Sequence, residues 1–307
     1  MKVKIVKVLS AVLIAGFVVV NTPVFASDKA VSPPAIAPEK QTKSTMEAQP
    51  QVDKTTDDKT SEQRKKIMEE AHVAIAETQK ALKALDEGKT EDAIKALELA
   101  IGKMELIVAR DPKLALAKVD VNVKFIDFYA NVDTLKKTIN LAKKHLDDGE
   151  VQLARPLIAS LASEMVIESV NIPLATYPNA IKAVVPLIDK GEVEKAKVAI
   201  QTALNTQVIV TEEVVPLPVA RAKIMLKKAE TLAEKKDRTE EEKKELTALL
   251  DDSRTQLKIA EILGYGKKKA FKPMYEQLDS IKEKTKDNKS GKGFFDKIHD
   301  QIFKLLD

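Results

Sequence analysis

The chain has 307 residues, of which 32% are charged and only 4% aromatic, and it contains neither Cys nor Trp. The lack of Cys excludes disulfides, thiolate metal sites and cysteine nucleophiles together. Abundant Ala, Lys, Glu and Leu beside so few aromatics describe a helix-rich protein with a charged surface, long enough for one sizeable core or two small ones.

Lys2, Lys4 and Lys7 precede an apolar run from Val8 to Val20 that only Ser10 and Gly16 interrupt. The run is short of the roughly 20 apolar residues a membrane span wants. Val24-Phe25-Ala26 then sets small or medium residues before Ser27, so residues 1–26 read as a secretory signal cut between Ala26 and Ser27. Export, to the periplasm, is the expected location. Three of the 51 basic residues leave with the signal, so 48 face 47 acids and the formal charge falls from +4 to +1. A chain so nearly neutral has no global attraction to nucleic acid.

Residues 27–60 are rich in Pro, Ser, Thr, Lys and Asp, with Pro33, Pro34, Pro38 and Pro50 set against helix. Few large apolar side chains are present to offset ordering entropy, so a disordered spacer is expected. Order is expected from Thr60, whose hydroxyl can cap a helix while Gln63 reaches back. Ile67, Ala71, Ala74, Ile75, Thr78, Leu82 and Leu85 follow helical spacing, and Gly88 ends that helix. Thr90 then caps a second helix carrying Ala93, Leu97, Ala100, Ile101, Met104 and Val108.

Beyond Asp111-Pro112 the period changes to two, with Val119, Val121, Val123 and Phe125 alternating with polar residues. Asn131 caps the next helix, which runs to Gly149. Aligning on Gly88, Gly149 and Gly191 exposes a repeat. Asp86, Asp147 and Asp189 stand two before the glycines, Ala93, Ala154 and Ala196 five after, and Leu97, Ile158 and Ile200 nine after. Each copy passes into a β-rich run, at 119–126, 165–172 and 207–215. The unit is helix, glycine turn, helix, strand, at intervals of 61 and 42 residues that are too uneven for a regular solenoid.

The expected fold class is mostly α (α+β). Helical hairpins in three irregular repeats, with their strands paired in one small three-stranded sheet, fill a domain at 61–264. Pro173 and Pro216 end two strands, and Pro178 and Pro218 open the helices that follow. From 219 to 263 the pattern is a long helical hairpin, its second arm starting at Thr239 before three Glu. Residues 265–292 read as a basic linker, since 267–292 hold nine Lys against four acids. The tail, 293–307, is an amphipathic helix whose Phe294, Phe295, Ile298, Ile302 and Phe303 can dock on the chain's own core, between subunits, or weakly on a membrane surface.

Chemistry is sparse. Glu69 and His72 form one Glu-x-x-His, half of a di-iron pattern, and neither His145 nor His299 supplies the other half. No zinc set, nucleophile elbow, phosphate loop or dinucleotide fingerprint occurs. No catalytic residue, metal or cofactor is assigned, and the chain is not expected to be an enzyme. Polar residues inside apolar surroundings are the remaining candidates: Arg155 in LARPLIA, Glu168 beside Met165-Val166-Ile167, and Arg221 after PLPVA. They either bridge helices to sheet as ion pairs or, with the Tyr177 hydroxyl, line an anion pocket beside the strand exits.

The run IPLATYPNAIKAVVPLIDKGEVEKAKVAIQTALNTQVIVTEEVVPLPVARA resembles the core of the YfdX family of bacterial envelope proteins. The resemblance extends from about Ile67 to Leu263 and is most specific in IPLATYP and VVPLPVARA. It implies a signal-bearing, helix-dominated protein with a role in tolerance of envelope stress such as heat or acid, by holding unfolding proteins. The family has no established catalytic residues to carry over, and the Lys-rich tail departs from its usual short ending. The expected function is therefore a non-enzymatic, chaperone-like homo-oligomer that binds unfolded polypeptides. The alternative is a small-molecule or anion-binding module using Arg221, Arg155 and Tyr177.

Overall fold

The computed structural model describes residues 41–128 and 130–306, so the signal and its Ala26–Ser27 cut lie outside the described residues. In chain order the elements are α1 (Lys43–Arg64), α2 (Glu69–Asp86), α3 (Thr90–Arg110), β1 (Leu116–Ile126), α4 (Val132–Asp147) and α5 (Val151–Ser160). There follow β2 (Glu164–Pro173), α6 (Tyr177–Lys182), α7 (Val185–Asp189), α8 (Val193–Leu204) and β3 (Val208–Pro216). The chain closes with α9 (Leu217–Glu234), α10 (Glu240–Leu263), α11 (Lys268–Thr285) and α12 (Asp296–Leu306).

The three glycine turns are one device used three times. Gly88, Gly149 and Gly191 have φ of 72°, 77° and 74°, a left-handed conformation that costs glycine nothing. Each lets the next residue close the same wide turn: Lys89 N–H donates to Ala84 O at 2.8 Å, Glu150 to His145 O at 2.7 Å and Glu192 to Leu187 O at 2.9 Å. Ala93, Ala154 and Ala196 are fully buried, a small side chain where the returning helix meets its partner. Leu97 and Ile200 are buried as well, whereas Ile158 is exposed.

The strands pair antiparallel in the order β1-β2-β3. Val121, Met165, Ile167 and Val215 point to one face, which Val52 of α1 and Leu217 of α9 cover. A first core joins α2, α3 and α6–α8 to one end of the sheet, around Leu97, Met104, Ile172 and Tyr177. A second joins α9–α12, around Leu226, Leu257, Phe271 and Phe295. Many of these positions are Ala, so close helix approach does the packing that aromatics do elsewhere. Mostly helical with a small sheet, the fold is the one expected.

The N-terminal boundary is different. The spacer expected over 27–60 gives way to helix from Lys43, capped by Thr42, whose hydroxyl accepts from Thr45 N–H. The helix buries a narrow stripe of Ala48, Val52, Thr56 and Thr60, four apart, along α9 and the sheet. Thr56 satisfies its own hydroxyl by donating to Val52 O at 2.9 Å. Pro50 sits on the exposed side, where the carbonyl its missing N–H leaves over meets water. Thr60 is thus not the cap of a new helix but a buried residue near the end of α1. The break comes at 65–68, where Met68 N–H turns aside to Lys118 O of β1. Thr90 is likewise the first residue of α3 and makes no cap bond.

The basic linker is corrected too. Residues 268–285 form α11, which buries Phe271, Met274, Leu278 and Ile281 and turns its lysines outward. The tail docks on its own core, with Phe295, Ile298 and Ile302 buried, Phe294 half-buried and Phe303 exposed.

Candidate functional site

Three long helices begin around one cavity. Thr42 caps α1; Asn131 caps α4, accepting from Asp133 N–H at 2.9 Å and Thr134 N–H at 2.8 Å; Pro218 stands in the first turn of α9. The cavity, about 120 Å³, is lined by these starts together with Ser163 before β2 and Thr255 and Gln256 from the middle of α10. Arg221, one turn into α9, closes one side.

Arg221 is 3% exposed. Its Nε and Nη2 donate to Gln49 Oε1 of α1 at 3.1 and 2.8 Å, Nη1 donates to Asp127 Oδ1 at 3.2 Å, and Nη2 also bonds Asp127 Oδ2. Asp127 accepts a further bond from Ser163 Oγ at 2.6 Å, while Ser163 N–H donates to the Tyr265 hydroxyl at 2.8 Å. Burial pushes the Tyr265 hydroxyl well above the ordinary phenol range, against the Ser163 bond. A forked, largely buried Arg–carboxylate pair of this kind ties α1, the β1–α4 loop and α9 into one body. Of the two readings of Arg221, the structural bridge matches this geometry.

The other three candidates do not join it. Arg155 points outward from α5, whose buried side is taken by Ala154 and Leu157. Glu168 Oε2 lies 2.7 Å from Lys124 Nζ on the sheet, an ion pair without hydrogen-bond alignment. Tyr177 has no exposed surface, and burial pushes its hydroxyl up to about 12. It lies by Thr78 but makes no hydrogen bond of normal geometry among the described residues. The physical reason is strand direction. β2 and β3 run antiparallel, Glu164 facing Pro216 and Asn171 facing Val208, so their exits leave opposite ends of the sheet. Tyr177 follows one exit and Arg221 the other. Glu69 and His72 are also apart in role, Glu69 being exposed while His72 Nδ1 lies 3.2 Å from Val119 O of β1.

Gln49, Asp127, Ser163 and Gln256 carry no local signal in the sequence, whereas the Asn131 cap and Pro218 mark two of the helix starts that meet here.

A second feature lies further along α1. Among the described residues β3 is an edge strand, and beside it runs a groove of about 340 Å³ floored by Val52, Met165, Val215 and Ile224. Ile209 and Val214 on the strand and Phe303 at the groove margin are 59%, 43% and 58% exposed. Lys59, Lys223 and Lys227 stand on its rim against Glu213, which Lys59 pairs.

Residues 74–214, from α2 to near the end of β3, match the family model described as YfdX protein. Over these residues, a little under half of its length, the chain is similar to the YfdX family. The matched stretch takes in all three glycine turns and IPLATYP, and it ends at the first residue of VVPLPVARA; the Arg221 bridge lies just beyond it. A solved structure of YfdX from Salmonella Typhi aligns at 15% identity over 49% of this chain and 93% of its own, with a TM-score of 0.34. No curated protein matches the chain.

Proposed function

We propose that this chain, similar to the YfdX family over residues 74–214, is an exported, non-enzymatic stress-tolerance protein of the periplasm that holds partially unfolded polypeptides. The observation that carries the reading is the edge strand β3 lying beside an apolar groove. An edge strand presents a row of N–H and C=O groups to which an extended segment can add, while a neighbouring groove takes alternate side chains. Native proteins usually blunt such edges; here Ile209, Val214 and Phe303 leave apolar surface at the edge instead. The lysine rim favours segments with acidic residues beside their apolar ones. Strand addition requires no fixed client sequence, because main-chain bonds supply the contact.

Self-association belongs to the same reading, through Leu146, Val151, Leu153 and Ile158 exposed on the α4–α5 hairpin, away from β3 in sequence. The test is aggregation of a heat-unfolding client with and without residues 27–307, at neutral and mildly acidic pH and without ATP. Suppression near one subunit per client is expected. Unchanged aggregation at both pH values would remove the holding role.

A further inference from the structure

We propose that the cavity at the starts of α1, α4 and α9 binds a small oxyanion, a carboxylate or a group of phosphate size. This inference is independent of the holding role. The helices that begin there are 22, 16 and 18 residues long, and each start concentrates about half a positive charge from its aligned peptide dipoles. The charge of Arg221 is already balanced by Asp127, so the field left in the cavity is that of the three starts. No carboxylate lines the wall among the described residues.

The second observation is Gln256. It reaches the cavity from the middle of α10, is only 9% exposed, and its buried amide oxygen has no hydrogen-bond partner among the described residues. A buried carboxamide without a partner is costly, and native proteins rarely keep one. Rotation about its last torsion presents either the oxygen or the two N–H donors to the cavity. With the N–H groups inward, and with Thr42 and Thr45, whose hydroxyls bond each other at 2.9 Å and leave one proton to give, also on the wall, the cavity offers neutral donors in a positive field. That is the recognition chemistry of an oxyanion at helix starts. At about 120 Å³ the space admits a small ion and excludes a polymer or a large cofactor.

The experiment is thermal unfolding of the 27–307 chain in chloride, acetate and phosphate at matched ionic strength. A saturable rise of a few degrees in acetate or phosphate is expected, and whichever saturates at the lower concentration identifies the anion. Gln256→Leu keeps the bulk and removes the amide. It is expected to melt no lower than the parent in chloride and to lose the anion-dependent rise. Thr45→Val, which removes one hydroxyl, is expected to weaken the rise, and decides the matter should Gln256→Leu fail to fold. Two results overturn the proposal: no rise in either anion, or an equal, non-saturating rise in parent and variants. The latter is the general effect of excluded salts on any fold, and means that the cavity holds water only.

Discussion

Replacing Arg221 by Met keeps the stem and removes the guanidinium from a site that is 97% buried. Gln49 Oε1 then loses both of its donors, and Asp127, whose side chain is 10% exposed, keeps the bond from Ser163 Oγ. Stranding one partner of a buried pair costs about 3–5 kcal/mol. The surviving Ser163 bond places this case near the lower end, about 3 kcal/mol. At roughly 2–4 °C per kcal/mol for a body of this size, the melting temperature should fall by about 6–12 °C. Circular dichroism melts of Arg221→Met, Asp127→Asn and the double variant form a cycle that isolates the pair. The double variant should recover about 2 kcal/mol relative to the sum of the singles, because removing both charges strands neither. A single variant that melts within 2 °C of the parent, or a cycle with no coupling, would show that the bridge does not hold these elements together.

The glycine turns give a second expectation. Gly149→Ala meets no neighbouring atom, so its cost is the left-handed backbone alone, about 1–2 kcal/mol by chemical denaturation, and Gly88→Ala should match it. An effect much below that at both sites would mean the turns relax. Deleting 293–307 removes the buried Phe295, Ile298 and Ile302, each contributing about 1.5–3 kcal/mol, and should strip the second core enough to bind a hydrophobic dye; unchanged dye binding and melting would contradict tail docking. On acidification, the bond from Lys118 holds the Glu212 carboxyl below its ordinary 4.5, and the bond from Lys228 does the same for Glu47. A carboxyl lowered in the folded state contributes stability above its unfolded value and loses it as pH falls through the folded value. Stability should therefore decline below about pH 4.5, and Glu212→Gln should flatten part of that decline in a pH series of denaturant midpoints.

Much of the fold was legible because its signals are local. The three glycines, the Asn131 and Thr239 caps and the alternation of Val119, Val121 and Val123 each specify conformation within a few residues, and all sit where expected. α1 was hidden because its buried stripe is Ala48, Val52, Thr56 and Thr60, small or polar residues that carry little weight in a count of large apolar side chains. α11 was hidden by charge, its lysines masking the spacing of Phe271, Met274, Leu278 and Ile281. The site was the least legible part. Tyr177 and Arg221 each stand a few residues past a strand exit, with Arg155 in the helix before the first of those strands, and similarity along the chain looked like proximity in space. Antiparallel pairing separates the strand exits, and the partners Arg221 does take, Gln49 and Asp127, come from 172 and 94 residues away. Nothing local encodes such a contact.

The most direct test of the holding role is hydrogen exchange across the chain as a heat-unfolded client is added. Strand addition predicts that amides of Val208–Pro216 become protected, with smaller changes around Val52 and Ile224 along the groove, while the first core is unaffected. Suppressed aggregation with no new protection in β3, or protection confined to the α4–α5 hairpin, would contradict it.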